Sequence, residues 1–486
     1  MDSSIVLGAN EQGEQTQLNP AMANRHGLIA GATGTGKTVT LQVLAENFSR
    51  LGIPVFLADI KGDLSGLLQA GAPHPKIDER IKRIGLNDYQ AQGFPVQFWD
   101  LFGQQGVPVR ATVTAMGYEL LAQLLELNDT QTGVLMIMFK VAEIKKWLLL
   151  DLKDLRSSLL WLSDNYQQVS KEYGGIAASS IAAIQRRLLA LDDAGGNHFF
   201  GEPALELQDF IQCTEEGMGH INILAGNQLI QKPTLYGTFL LWLLRELFKE
   251  LPEVGDKDKP RFVFFFDEAH LLFDSASKAL LQTIEQTVRL IRSKGVGVYF
   301  VSQNPSDIPD DVLGQLGNRI QHALRAYTPK DQKALKAAAQ SFRANPAFDT
   351  QQSITELGVG EALVSVLDEK GTPTFVERIL ISPPRSRMGV ADPEIVKQCW
   401  QQSPLQQRYG AELDRESAHE RLQKRQLNVE VPAPKSETRK TPLKPKKSRQ
   451  RQGFLEVLGK SLIRAFSSSF ARSLSRSILK NLNRKK

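Results

Sequence analysis

LIAGATGTGKTVTLQ, residues 28–42, is the stretch on which the fold turns. A run of small apolar residues enters a loop with glycines at 31, 34 and 36, then Lys37 and Thr38, then a helical pattern. The spacing G-x-x-x-x-G-K-[ST] is that of a phosphate-binding loop. Its glycines let successive backbone N–H groups turn toward one anion, the lysine reaches the outer phosphates, and the threonine hydroxyl can sit on Mg²⁺. The flanks agree: HGLIAG reads as a buried strand and KTVTLQVLAENFSRLG as an amphipathic helix closed by Gly52. The chain is therefore expected to bind a nucleoside triphosphate through Gly31, Ala32, Thr33, Gly34, Thr35, Gly36, Lys37 and Thr38.

Composition sets the frame around this loop. The 486 residues are 42% hydrophobic and 23% charged, a globular composition with room for roughly two or three domains. Cys213 and Cys399 are the only cysteines and lie far apart, so neither a disulfide framework nor a CxxC metal site is expected, and a reducing compartment fits. MDSSIVLGAN has no basic or apolar leader, and the most apolar helical runs, VLMIMFKVAEIKKWLLL and FLLWLLRELF, are short or broken by charge. Neither export nor a membrane span is expected. The net charge of +6 hides an asymmetry, because 16 Lys/Arg face only Glu437 and Glu456 from Lys435 onward. The residues before Lys435 are mildly acidic, and the basic excess lies in the tail.

Runs rich in Val, Ile and Phe read as strands at 26–31, IPVFLADI (53–60), PVQFWDL (95–101), HINILAG (220–226), RFVFFFDE (261–268), GVYFVSQ (297–303), RIQHALRA (319–326), EALVSVLD (361–368) and TFVERILI (374–381). Helical patterns lie between most of them. Such alternation predicts an α/β fold, a mostly parallel sheet covered on both faces with ligand at the carboxyl ends of its strands. The expected division is a P-loop ATPase domain in two parts, 1–111 and 216–390, interrupted by an α-helical insertion at 112–215. A polar extension at 391–434, with an exposed helix near 405–427, leads to a basic disordered linker at 435–452 and a helix at 453–486. In that last helix Leu458, Leu462, Phe466, Phe470, Leu474, Ile478 and Leu482 recur every four residues, with Lys460, Arg464, Arg472, Arg476, Lys480 and Arg484 offset by two. Two residues turn about 200° around a helix, so the pattern is cationic and amphipathic. The protein's own core, an anionic membrane surface and DNA phosphates are its candidate counterparts.

Chemistry needs more than a phosphate loop. RFVFFFDEAH is an apolar strand ending in Asp267 and Glu268: the first acid can hold the Mg²⁺ shell, the second can polarise a water beside the γ-phosphate. An N-cap for the following helix is the structural alternative. His270 reads as local packing. GVGVYFVSQNPSD ends a strand at Gln303, whose amide can bond both an attacking water and the γ-phosphate, or else merely open the turn at NPSD. Arg292, in RLIRSKG, could face a neighbouring subunit's nucleotide, or be a solvated helix-end arginine.

Together these segments resemble the HerA/FtsK superfamily of P-loop ATPases, whose fold is RecA/FtsK-like, and most closely the bacterial HerA-like proteins of the YjgR type. The resemblance runs through GLIAGATGTGKT, LADIKGDLSGL, LELNDTQTGVL, KPTLYGTFLLWLLRELFKELPEVGD, FVFFFDEAHLLF, VRLIRSKGVGVYFVSQNPSDIPDDVLGQLGNRIQHALRA and GVGEALVSVLDEKGTP, roughly residues 5–390. It implies that Lys37 and Thr38 are the Walker A pair, Asp267 and Glu268 the Walker B pair, Gln303 the sensor and Arg292 the trans arginine. DIKGDL is similar to a segment of type IV secretion coupling ATPases, which makes Asp59 and Lys61 secondary candidates; Arg319 is a third. ATP and Mg²⁺ are the implied cofactors, and a homo-oligomeric ring, usually a hexamer, that moves DNA through its centre is the implied assembly. Archaeal members meet a nuclease partner through a β-barrel ahead of the phosphate loop; the residues before Gly31 are too few for one, so the resemblance leaves a nuclease partner open. The expected function is an oligomeric Mg²⁺-dependent ATPase that translocates or unwinds DNA in the cytoplasm. The alternative is an ATP-driven assembly at the inner membrane face that acts on protein or serves as a scaffold.

Overall fold

The computed structural model describes residues 4–255, 257–273 and 278–429. The linker and the cationic helix expected at 435–452 and 453–486 lie outside the described residues. In chain order the strands are β1 (Ile5–Ala9), β2 (Gln15–Leu18), β3 (Gly27–Ala30), β4 (Val55–Asp59), β5 (Val96–Asp100), β6 (Val107–Pro108), β7 (Ile221–Ala225), β8 (Phe262–Phe266), β9 (Val296–Ser302), β10 (Asn318–Gln321), β11 (Glu361–Ser365) and β12 (Glu377–Ile381). They form one sheet in the order β2-β1-β12-β11-β10-β3-β9-β8-β4-β7-β5-β6. All pairs from β10 to β6 are parallel, and β11, β12, β1 and β2 extend the sheet antiparallel.

Nine of these strands coincide with the Val/Ile/Phe runs. β1, β2 and β6 do not, for physical reasons. β6 is two residues long and ends in Pro108, and β2 is the polar, half-exposed QTQL. β1 contains Gly8, which the pairing needs because an added Cβ would lie 2.1 Å from the Leu380 carbonyl oxygen.

Helices on both faces make the central strands β3, β8 and β9 buried throughout rather than alternating. β8 is FVFFF and wholly buried. Its Phe264 and Phe266 join one core with Phe56, Ala58, Trp99 and Phe300, while Val263 and Phe265 join the other with Val55, Leu57, Tyr299 and Val301. Helix Lys37–Arg50 covers the second face through Leu41, Leu44 and Phe48. Helix Pro233–Glu250 and the helices between β6 and β7 cover the first.

Those intervening helices are Val113–Leu124, Asp129–Lys145, Leu152–Asp164, Tyr166–Tyr173, Ala178–Asp193 and Gly196–Phe199. Two of them start on reciprocal capping boxes, Asn128 with Gln131 and Asp151 with Asp154, which satisfy backbone donors that a helix start leaves open. The single helix expected near 405–427 is two, Pro404–Tyr409 and Ala418–Val429. Tyr409 explains the break: it is buried, 6.1 Å from the Trp99 ring, and its hydroxyl donates to Asp209, so the chain turns inward there. Among the described residues no helix is long and apolar enough to cross a membrane.

Phe264 packs on Phe56 at 4.5 Å and on Phe266 at 4.6 Å between ring centroids. Phe264→Ala should therefore cost about 3–5 kcal/mol in denaturant unfolding with an unchanged m value. A loss below about 1 kcal/mol would show that the two helical layers close over the gap.

Candidate active site

β3 ends between β9 and β10, strands that the chain makes only far downstream: it leaves β3 toward β4 on one side and returns through β8 and β9 to β10 on the other. Such a reversal of strand order opens a crevice at the carboxyl ends of the strands. Two backbone hydrogen bonds carry the sheet past Ala30: Gly31 N donates to Ser302 O at 3.2 Å, and Ala32 N to Ala323 O at 2.8 Å. The loop then turns into the first residue of helix Lys37–Arg50.

Only glycine serves at position 31. Its φ is +152°, and an added Cβ would meet the Cβ of His322 at 2.5 Å. His322 is the buried brace of the loop, with one ring nitrogen 2.8 Å from Thr40 Oγ1 and the other 2.9 Å from the Glu361 carbonyl oxygen. Gly360 N donates to Thr35 O at 2.9 Å, which pins the loop from the β11 side. Lys37 donates to the Gly31 and Ala32 carbonyls at 2.7 and 3.1 Å. Burial lowers the pKa of its amine, Lys61 adds to that, and Glu268 and Asp267 oppose it.

Asp267 and Glu268 leave the end of β8 two strands away. Burial, then Glu268 and Asp59, push the Asp267 carboxyl up to about 7. Glu268 has φ +47°, in the left-handed region that side chains rarely occupy, a strain that the surroundings must hold in place. The bond from Ala269 N to Val301 O at 2.9 Å does part of that. Glu268 Oε1 pairs with Lys61 Nζ, and Oε2 receives Gln303 Nε2 at 3.3 Å and faces His270 Nδ1 at 3.3 Å. Burial alone would raise this carboxyl, but the Lys61 pair, with Gln303 and His270, holds it below the usual range.

Lys61 comes from the loop after β4. Asp59 clasps that loop by accepting from Gly62 N at 2.7 Å and Leu64 N at 3.0 Å. Burial leads the forces that push the Asp59 carboxyl up to about 6. Thr38 Oγ1 donates to Asp63 Oδ2 at 3.4 Å, and the buried Asp63 Oδ1 has no hydrogen-bond partner. Hard oxygens from Thr38, Asp63 and Asp267, in a site whose carboxylates already repel one another, suit Mg²⁺, which takes one or two carboxylates and completes its shell with water and phosphate.

The loop, Asp59, Lys61, Asp267, Glu268 and Gln303 thus gather at the carboxyl ends of β3, β4, β8 and β9. Arg292 and Arg319 do not. Arg292 opens the turn Arg292–Lys294 before β9, at the opposite ends of the strands, close enough to His26 to lower that ring's pKa. Arg319 is paired with Leu28 in the β10–β3 register, and its guanidinium donates to the Leu316, Ser341 and Leu313 carbonyls at 3.1, 3.2 and 3.0 Å. It staples the turn before β10.

His322, Asp63 and the contact of His270 with Glu268 escape a reading of the sequence. RIQHALRA signals a strand, and nothing in it says that the histidine is neutral and buried. Two cavities flank the loop: one of about 390 Å³ touches Thr33, His270, Gln303 and Arg325, and one of about 440 Å³ touches Gly34, Leu324, Tyr327 and Val359.

Comparison with known proteins gives the chain's family and fold. The family model described as helicase HerA-like C-terminal matches residues 4–486. The DNA double-strand break repair helicase HerA of Saccharolobus solfataricus is 22% identical over 366 residues, 74% of this chain and 64% of that protein. A probable helicase of Methanocaldococcus jannaschii is 33% identical over 139 residues, 27% of this chain and 25% of that protein. The chain thus spans less than two thirds of the length of either relative. Among solved structures, the bacterial conjugative coupling protein TrwBdeltaN70 superposes with a TM-score of 0.53 at 13% identity, covering 83% of this chain and 92% of that one. TrwB in complex with a non-hydrolysable GTP analogue gives 0.52 at 13%, covering 77% and 90%. These likenesses show the α/β P-loop fold.

The brace has a pH signature. Burial lowers the pKa of His322 from 6.5 to about 4, and that of His26 likewise to about 4. As pH falls the unfolded chain takes up these protons first, so stability that is present above the unfolded value is lost toward the folded one, at up to ~1.4 kcal/mol per pH unit for each ring. His322→Gln should shrink the loss of unfolding free energy between pH 7 and pH 5 by about 1–2 kcal/mol. An unchanged loss would mean that this ring is not kept neutral.

Proposed function

Because the chain belongs to the HerA-like helicase C-terminal family, we propose that it is a Mg²⁺-dependent ATPase whose hydrolysis drives movement along DNA or its unwinding. The observation that carries this reading is Glu268, a carboxylate at the end of β8 with the Gln303 amide on its Oε2. A nucleotide kinase has no use for a group that takes a proton from water; a hydrolase requires one.

On this reading the N–H groups of residues 31–38 hold the phosphates, and Lys37 exchanges the Gly31 and Ala32 carbonyls for the outer phosphate oxygens. Thr38 and Asp267, with Asp63 beside them, would hold Mg²⁺, which neutralises charge between the outer phosphates. Glu268 accepts the proton of the attacking water. Gln303 orients that water and registers the γ-phosphate. Arg292 serves a neighbouring subunit, since in its own chain it lies at the opposite ends of the strands, and a ring, a hexamer, is the assembly that lets it do so. We assign 1–111 and 216–390 to the ATPase, 112–215 to an insertion and 391–434 to an extension, with the cytoplasm as the working compartment. DNA as the substrate class is supported by the relatives, named as repair helicases. The membrane alternative rests on the tail, which lies outside the described residues.

Glu268→Gln should keep ATP binding and lose ~10²-fold or more in hydrolysis, whereas Lys37→Ala should weaken binding itself. Hydrolysis by Glu268→Gln at the wild-type rate would remove Glu268 as the base, and a wild-type rate indifferent to double-stranded DNA would remove DNA as the substrate. Mixing Arg292→Ala with Lys37→Ala subunits, each inactive alone, should restore activity. No rescue in mixed oligomers would show that Arg292 does not act across a subunit boundary.

A further inference from the structure

We infer that Lys61 is the γ-phosphate-sensing cation of this site: it is held by Glu268 and passes to the third phosphate of ATP, and its departure frees Glu268 for the attacking water. The inference rests on the ATPase reading above and goes beyond it in naming what releases the base.

Three observations carry it. The first is that Lys61 is presented by a fixed loop. Asp59 accepts from both Gly62 N and Leu64 N, and Gly62 has φ +77°, so the turn after β4 projects residue 61 past the end of the neighbouring β8. The second is the company its ammonium keeps. Glu268, Asp267 and Asp63 all attract it and Lys37 is close enough to feel its charge, so it stands among the groups proposed to surround the outer phosphates and the metal. The third is the state of Glu268. The Lys61 ammonium is paired with Oε1, Gln303 donates to Oε2 and His270 faces the same oxygen, so both oxygens of the carboxylate already have a polar neighbour. A base so engaged has little room for a water.

A γ-phosphate carries more charge than one carboxylate and offers three oxygens, so it competes well for an ammonium on a flexible stem. Transfer of Lys61 vacates Oε1, and no bond is made or broken in doing so. The β-phosphate of ADP is one unit farther back toward the loop, and it leaves Lys61 on Glu268. The site then withholds its base until the third phosphate has arrived.

The test compares binding of ADP and of a non-hydrolysable ATP analogue, with ATPase rates, in wild type, Lys61→Ala and Lys61→Arg. Lys61→Ala should bind the analogue at least ~10-fold more weakly, bind ADP within about twofold of wild type, and hydrolyse ATP more slowly. Lys61→Arg should recover the preference for the analogue. The inference is overturned by unchanged binding of both nucleotides, by faster hydrolysis with unchanged binding, which would make Lys61 only a latch, or by equal weakening of both together with a lowered Tm, which would make it only a support of its loop. A wild-type chain that binds neither nucleotide overturns the ATPase reading and this inference with it; intact wild-type binding confines a negative result to Lys61.

Discussion

The hydrogen bonds from Gly31 N to Ser302 O and from Ala32 N to Ala323 O are what the nucleotide end of the molecule depends on. A loop with three glycines at positive φ has much conformational entropy to lose and no side chains with which to hold itself, so its shape must come from outside. β9 supplies one wall and the exit of β10 the other, and His322 fills the space beneath that a residue other than glycine at 31 would claim. Arg319 belongs to the same scheme. By tying the Leu313, Leu316 and Ser341 carbonyls together it fixes where β10 begins, and so where His322 and Ala323 stand at its far end.

A second constraint is electrostatic. β4 and β8 are hydrogen-bonded neighbours, roughly 4.8 Å apart; β4 ends in Asp59, and Asp267 directly follows β8. Asp59 and Asp267 are therefore brought together at the carboxyl ends of two central strands, and both carboxyls are pushed up, to about 6 and about 7. Two lysines, 37 and 61, stand against Asp59, Asp267 and Glu268 there, and they too raise each other's cost of staying charged. A site so composed is balanced only while opposite charges remain paired.

Much of this was legible in the residues. The phosphate loop announces itself by spacing, and the parallel strands by unbroken apolar runs such as FVFFF, because both signals are local. The Asp267–Glu268 pair was readable because it closes such a run. What escaped depends on packing between distant segments. Arg319 looks the same in a sequence whether it faces a phosphate or three carbonyls, and the register of β10 with β3 decides which. His322 sits in a run that signals only a strand. The positive φ of Glu268 and its pairing with Lys61 follow from strand order, which alternation of helix and strand leaves open. β2 escaped because a short polar edge strand resembles a loop, and β1 because its five residues, IVLGA, are interrupted by Gly8.

The way β1 pairs with β12, and the bond from Gly360 N to Thr35 O, have a consequence for biosynthesis. The loop that begins at Gly31 leaves the ribosome early, but its braces at His322 and Gly360 come some three hundred residues later, at about 5–20 residues per second. For that interval β3 lacks both of its neighbours in the sheet, β9 and β10. Low-order contacts form first in such chains, and the helices between β6 and β7, which cap and pack on one another, are the part able to condense early. The phosphate-loop motif of a nascent chain thus stays unbraced until nearly all of the sheet has been made, and a truncated product carries an intact motif without the walls that shape it.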